Sequence, residues 1–258
     1  MILSTSSEAA LATRRHVTGP TGATYFHTTF IGTNRYIAGP GAKTPRPGEF
    51  TPMAFLVEQD PHTTVKTHFH VADQFQVVVA GKAMLGTHPV EGVAVHFTGP
   101  YSPYGPIRAG ELGVHYFTLR NAYDSGAQYM PDSRHELRAK RTHPHREAVV
   151  DPRPALSPEA LAALAEPEET QIIATEADGL AAWRYRLPPG ARVAGPDPQV
   201  GRGQTWLVLE GTLEREEDGA PLPRHSCLFV HPDDPALDGR AGQGGLEILC
   251  LQYPRAAA

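Results

Sequence analysis

Cysteine is nearly missing from this chain of 258 residues, which has only Cys227 and Cys250. Both stand in apolar, strand-like surroundings. They read as reduced core residues of a cytosolic protein rather than as a disulfide or a nucleophile. Long apolar runs are missing as well, and nothing approaches the roughly 20 residues a membrane-spanning helix needs. The start, Met1-Ile2-Leu3-Ser4-Thr5-Ser6-Ser7-Glu8, lacks the basic cluster and apolar stretch of a secretory signal. Positive charge is not in excess either. With 23 Lys plus Arg against 28 Asp plus Glu the net charge is −5, which gives no footprint for nucleic acid or an anionic membrane. Lysine is scarce, 4 against 19 arginines, a bias expected of a GC-rich bacterial genome. There is no phosphate-cradling glycine loop at a strand–helix junction, no CxxC pair and no nucleophile elbow. Gly195–Gly203 is glycine-rich but lies between strands, so it reads as a loop.

What the chain does have is punctuation: 25 glycines and 25 prolines, spaced as in a protein of many short strands. Strands are expected at Met53–Gln59, Thr63–His70, Phe75–Ala80, Ala94–Thr98 and Val114–Leu119. A second series follows at Ile172–Thr175, Ala181–Leu187, Thr205–Glu210, Ser226–Val230 and Leu246–Gln252. Pro158–Ala165 reads as the one clear helix, with Ser157 as its N-cap. The fold is therefore mainly β.

A repeat organises these strands. Gln74 and Gly81 are matched by Gln204 and Gly211, 130 residues on. Arg108-Ala109-Gly110 through Leu119 parallels Arg240-Ala241-Gly242 through Leu251 at an offset of 132, so a two-residue loop difference reconciles both. The chain thus divides into an N-terminal arm (1–48), a first β module (49–123), a linker with the short helix (124–168) and a second module (169–258). The arm carries a Pro/Gly-rich bend, Gly39–Gly48, and is expected to cap the first module or to cross to a partner subunit. The linker holds a basic stretch, Ser133–Arg146, with Arg134, Arg138, Lys140, Arg141 and Arg146. It reads as a solvated linker, with an anion site as the alternative.

The most informative stretch is Thr67-His68-Phe69-His70-Val71-Ala72-Asp73-Gln74, followed by Gly81. Side chains alternate along a strand, so His68 and His70 share a face and can grip one metal ion. This stretch resembles the first motif of the cupin superfamily, glycine, five residues, His-x-His, three or four residues, glutamate, six residues, glycine. His62 stands at the leading glycine, Gln74 replaces the glutamate and Gly81 matches. The second cupin motif, Pro-x-Gly-x-x-His, resembles Pro103-Tyr104-Gly105-Pro106-Ile107-Arg108, with arginine in the ligand histidine's place. With the repeat, the resemblance implies a bicupin: two jelly-roll β-barrels in one chain. The second would be metal-free, because Pro198 and Val200 fall where the histidine pair would stand.

The resemblance implies a metal site of His68, His70 and Gln74 in the first barrel, completed by another ligand, of which His115, His96 and His62 are candidates. Iron, manganese, zinc, nickel or copper would suit imidazole donors. A metal-free polar pocket around the histidine pair is the alternative. Arg108 is either a substrate-carboxylate clamp or part of a turn signature shared with Arg240. Tyr101 and Tyr104 flank the same loop, as substrate hydrogen-bonders, acids or rim aromatics. Lys66 is expected in solvent at the barrel mouth. Two functions compete: a metal-dependent cupin enzyme, such as a dioxygenase, isomerase or lyase on a small polar or carboxylate substrate, and a metal-free small-ligand binding or accessory protein. Fold analogy adds a homodimer.

Overall fold

The computed structural model describes residues 2–34, 43–139, 144–215 and 220–255. Lys140, Arg141 and His143 of the basic stretch and part of the 39–48 bend lie outside them. The chain divides into two compact units, Thr13–Pro154 and Met1–Ala12 with Ala155–Ala258.

Strands β1 (Leu3–Thr5), β2 (Arg15–Thr18), β3 (Thr24–Ile31) and β4 (Met53–Gln59) lead into the short β5 (Thr64–Val65) and β6 (His68–Phe69). The long β7 (Gln74–Leu85) turns through β8 (His88–Glu91) into β9 (Ala94–Thr98), and β10 (Ile107–Arg120) follows. Next come β11 (Gln128–Tyr129), a helix at Arg134–Ala139 and β12 (Glu147–Val149). After the helix Pro158–Ala162 the second series is β13 (Glu168–Ile173), β14 (Ala181–Leu187), β15 (Arg192–Ala194), β16 (Gln204–Glu214), β17 (Leu222–Pro223), β18 (Cys227–Val230) and β19 (Asp238–Gln252). Ser157 caps its helix as expected, its Oγ accepting the Ala160 N–H at 3.2 Å. No helix among the described residues is long and apolar enough to cross a membrane.

In the first unit the antiparallel order is β12-β9-β7-β10-β4-β3-β2. In the second it is β1-β18-β16-β19-β14-β13. The four central strands correspond one to one, β9-β7-β10-β4 to β18-β16-β19-β14, so the sequence repeat is a repeat of structure. Neither path of strands closes on itself among the described residues, so the modules are jelly-roll sheets rather than hydrogen-bonded barrels. The N-terminal arm does not cap the first module. Its Thr24–Ile31 segment pairs with β4 inside the first sheet, and Leu3–Thr5 pairs with β18 in the second. The alternating Tyr25-Phe26-His27-Thr28 pattern suits a strand with one face inward.

The repeated glycines have a physical cause. Gly81 sits opposite Val114 at a register shift between β7 and β10, and Gly211 sits opposite Leu246 in the same way. Their φ angles are +74° and +75°. A Cβ at either would collide with a carbonyl oxygen across the ladder, that of Gly113 or of Gly245. Only glycine permits this bend of two long strands. Gly211→Ala should therefore cost several kcal/mol, adding a backbone clash to the roughly 1–2 kcal/mol of a left-handed alanine. Gly190→Ala, at φ +73° with open space around its Cβ, should cost only the latter. Urea denaturation of both variants measures the contrast, and equal losses would remove the collision from the explanation.

Candidate functional site

The two modules share a frame but fill it differently. The second is packed solid by Trp206, Tyr185, Leu213, Leu228, Ile248 and Cys250. At the matching ladder positions of the first stand Gln76, His96 and Thr118 where the second has Trp206, Leu228 and Cys250. The segment that would carry a histidine pair in the second is a single 3-10 turn, Pro198–Val200, capped by Asp197. At these positions the first module is polar where the second is apolar.

That interior is organised around Arg120, the last residue of β10, which is 3 % exposed. Its cross-strand partner is Gln74, the first residue of β7. Gln74 Oε1 accepts from Arg120 Nε at 2.9 Å and from Nη2 at 2.5 Å. Nη2 also lies 3.2 Å from both ring nitrogens of His70, Nδ1 and Nε2. His70 Nδ1 is 2.9 Å from Asp124 Oδ1, so the carboxylate accepts the Nδ1 proton. Asp124 is held in turn by the Val71 and Gly126 backbone N–H groups at 2.9 and 2.7 Å. Arg120 Nη1 makes only a 3.6 Å ion pair with Asp124 Oδ1, beyond hydrogen-bond length.

His68 belongs to a second branch. Its Nδ1 donates to the Lys66 carbonyl at 2.7 Å, leaving Nε2 to accept the Tyr104 O–H at 2.8 Å. The Tyr104 oxygen then accepts the Gln74 Nε2–H at 2.7 Å. Gln74 is therefore the hinge between the two branches, one end of its amide facing a tyrosine and the other an arginine. A glutamate there could not donate to Tyr104. Burial, together with the nearby His70, lowers the His68 pKa to about 3, so its imidazole is neutral in ordinary buffers. Burial pushes the Tyr104 hydroxyl well above its usual range, so it acts as a donor and not as a phenolate. Burial alone would raise the Asp124 carboxyl, but the His70 and Arg120 side chains and the Val71 N–H hold it well below the usual range.

These groups face a cavity of about 110 Å³, whose walls include Tyr25, His27, Phe55, Tyr116, Thr118 and Tyr129. Phe55 stacks on His27 at 4.7 Å between centroids, and the Arg120 guanidinium lies 5.5 Å from the Phe55 ring. The room is somewhat less than the ~150 Å³ that holds a benzene molecule in an engineered apolar cavity. The pocket is sized for a small molecule.

Of the residues singled out in the sequence, His68, His70, Gln74 and Tyr104 meet in this pocket. Arg108 does not. Its side chain is exposed on the outer face of β10, one step out of phase with Ile107 and Ala109, so it cannot clamp a ligand here. His115 is likewise out of phase with the inward Val114 and Tyr116 and is half-buried on the other face. Tyr101 does not line the cavity; its ring is 5.9 Å from Phe69, behind the histidine strand. His62 is exposed in a turn, and Lys66 is in solvent as expected. His96 is buried between Gln76 Oε1 at 3.2 Å and Glu147 Oε1 at 2.8 Å. The sequence reading passed over Arg120 and Asp124. Arg120 stands one residue beyond the end of the aligned repeat, opposite Gln252 in the second copy, and that unlike pair was the available signal.

The residues present do not fit a divalent metal. His68 Nε2 is capped by the Tyr104 O–H, Gln74 Oε1 accepts from the Arg120 guanidinium, and the same guanidinium lies 3.2 Å from both His70 ring nitrogens. A metal bridging these donors would sit against a fixed positive charge. Among the described residues no group of three or more His, Cys, Asp and Glu side chains is placed to hold one.

No family model matches the chain, and no curated protein does. Solved structures do. The Escherichia coli pirin YhhW, solved with nickel(II), covers 99 % of this chain and 100 % of its own, with TM-score 0.60 and 10 % identity. Quercetin 2,3-dioxygenase of Acinetobacter baumannii covers 94 % of this chain and 78 % of its own, at TM-score 0.51 and 13 % identity. Salicylate 1,2-dioxygenase of Pseudoaminobacter salicylatoxidans, solved as an adduct with gentisate, covers 83 % and 71 %, at TM-score 0.50 and 14 % identity. These are cupin-fold proteins, and this chain shares their fold. Within that fold it has two modules, and the pocket around His68, His70 and Arg120 lies in the first.

The buried titratable groups carry a pH signature. Unfolded His68 takes a proton below about 6.5 that the folded ring refuses down to about 3, and unfolded Asp124 takes one below about 3.8 that the folded carboxylate refuses. In both cases the folded state binds fewer protons, so stability rises with pH. It should fall from pH 6.5 downward, by ~1.4 kcal/mol per pH unit for one site, with Asp124 steepening the loss in the carboxylate range. His68→Gln should flatten the pH 4–6 segment by about one proton, read from urea unfolding across that range. An unchanged slope would sink the assignment.

Proposed function

We propose that the first module is a metal-independent pocket for a small carboxylate-bearing molecule, with Arg120 as its cation. The carrying observation is the guanidinium itself, buried among the donors to which the cupin pattern assigns a metal. Its Nη1 edge is the least engaged, held only by the 3.6 Å contact to Asp124. A carboxylate or similar oxyanion accepts well from such an edge. Tyr104 and the two histidines supply further polar contacts, and the aromatic walls exclude water from them. The gentisate seen with the salicylate dioxygenase is an acid of this general kind, which supports a small-ligand pocket in the shared fold.

A second reading, a metal-dependent oxygenase-type enzyme, is favoured by the neighbours, which include dioxygenases and a nickel-bound pirin. One pair of measurements separates the two. Full-length protein equilibrated with Fe(II), Ni(II), Mn(II) or Zn(II) should retain well under one equivalent by elemental analysis. It should bind acetate by titration calorimetry. Because Arg120→Met alone leaves Asp124 unpaired, the variant to use is Arg120→Met with Asp124→Asn, which should stay folded and lose acetate binding at least tenfold. Stoichiometric metal that disappears in His68→Ala/His70→Ala would overturn the proposal in favour of the enzyme.

A further inference from the structure

Next to the polar cavity lies a second, apolar compartment of about 20 Å³. Gln76 and Tyr116 line both. Its other walls include the buried Val78, Ala83, Leu85, Val90, Ala94 and Ile107. His96 also borders it, its Nδ1 and Nε2 turned to Gln76 and Glu147. The compartment is roughly the size of one small chemical group, above the ~10–15 Å³ that admits a single water. Aliphatic walls reward a hydrocarbon group there and give water few partners. At the matching positions the second module has the larger apolar Trp206 for Gln76 and Leu228 for His96, both buried in its core.

We infer that the ligand is a monocarboxylate with a short alkyl tail, its head on Arg120 and its tail reaching past Gln76 and Tyr116 into the compartment walled by Val90 and Ala94. This rests on the carboxylate reading above and adds the chemistry of the other end. The polar end of the cavity sets binding through charge, and the apolar end sets chain length. A second charge on the ligand would meet aliphatic side chains, and a ligand of several fused rings would exceed the combined space.

The test is a calorimetric series on the full-length protein with acetate, butyrate, isovalerate and hexanoate. Affinity should rise about fourfold per buried methylene, the factor that ~0.8 kcal/mol per CH₂ corresponds to, up to isovalerate, and then level or fall at hexanoate. Ala94→Leu, which fills the compartment, should bring butyrate and isovalerate down to the affinity of acetate and leave acetate unchanged. Should that variant overpack and unfold, Val90→Ala offers the opposite change, moving the optimum toward hexanoate. Equal affinity along the series, with acetate still dependent on Arg120, would overturn the tail subsite and leave the carboxylate reading standing. No Arg120-dependent binding of any acid would overturn both.

Discussion

A guanidinium buried in the interior of a β module is the constraint to which the rest of the first unit answers. Taking such a cation out of water costs several kcal/mol unless its N–H groups and charge are met. Arg120 is met by Gln74 across the ladder, by His70 and by the Asp124 carboxylate. Each of those is tied down by something else: Gln74 by Tyr104, Asp124 by two backbone N–H groups, Tyr104 by His68, and His68 by the Lys66 carbonyl. The result is a continuous chain of donors and acceptors whose tautomers are decided by their neighbours. Such a chain is rigid because no member can turn without leaving another unsatisfied.

The second module serves as a built-in control for this arrangement. At the same register it pairs Gln204 with Gln252, with a 2.9 Å hydrogen bond between their side chains. The fold thus uses a polar link between these two strands in both copies, but needs a cation in neither. Where the second copy does bury charge, it serves packing: Glu247 is fully buried and holds Arg184, Arg186 and the Leu156 N–H on one carboxylate. The arginine-centred pocket of the first module is accordingly an addition to the frame and not a requirement of it. That asymmetry is the physical reason for placing function in one half of the chain.

Much of the frame was legible in the residues. The paired Gln–Gly spacings and the Arg-Ala-Gly strands marked the repeat, and the repeat became matching four-strand centres. The strand limits were less legible. Phe75–Ala80 proved to be the first half of a strand running from Gln74 to Leu85, because a glycine at positive φ lets the strand bend and continue where it looked like an end. The site was half legible. The His-x-His spacing brought His68, His70 and Gln74 together, since alternation is a local property of a strand. Arg108 and His115 were misplaced because parity along β10 decides which side chains enter the pocket, and the bulge near Gly113 separates one parity count from the next.

The sequence by itself determined the β class, the two-copy plan, the reduced cysteines and a histidine pair confined to one copy. These follow from patterns of neighbouring residues, which local geometry reads directly. The tertiary structure alone decided what that pair faces. Arg120 and Asp124 lie 46 and 50 residues beyond Gln74 and only the pairing of β10 with β7 and the turn after it bring them to the histidines. Whether two imidazoles hold a metal or a guanidinium depends on what faces them across the sheet.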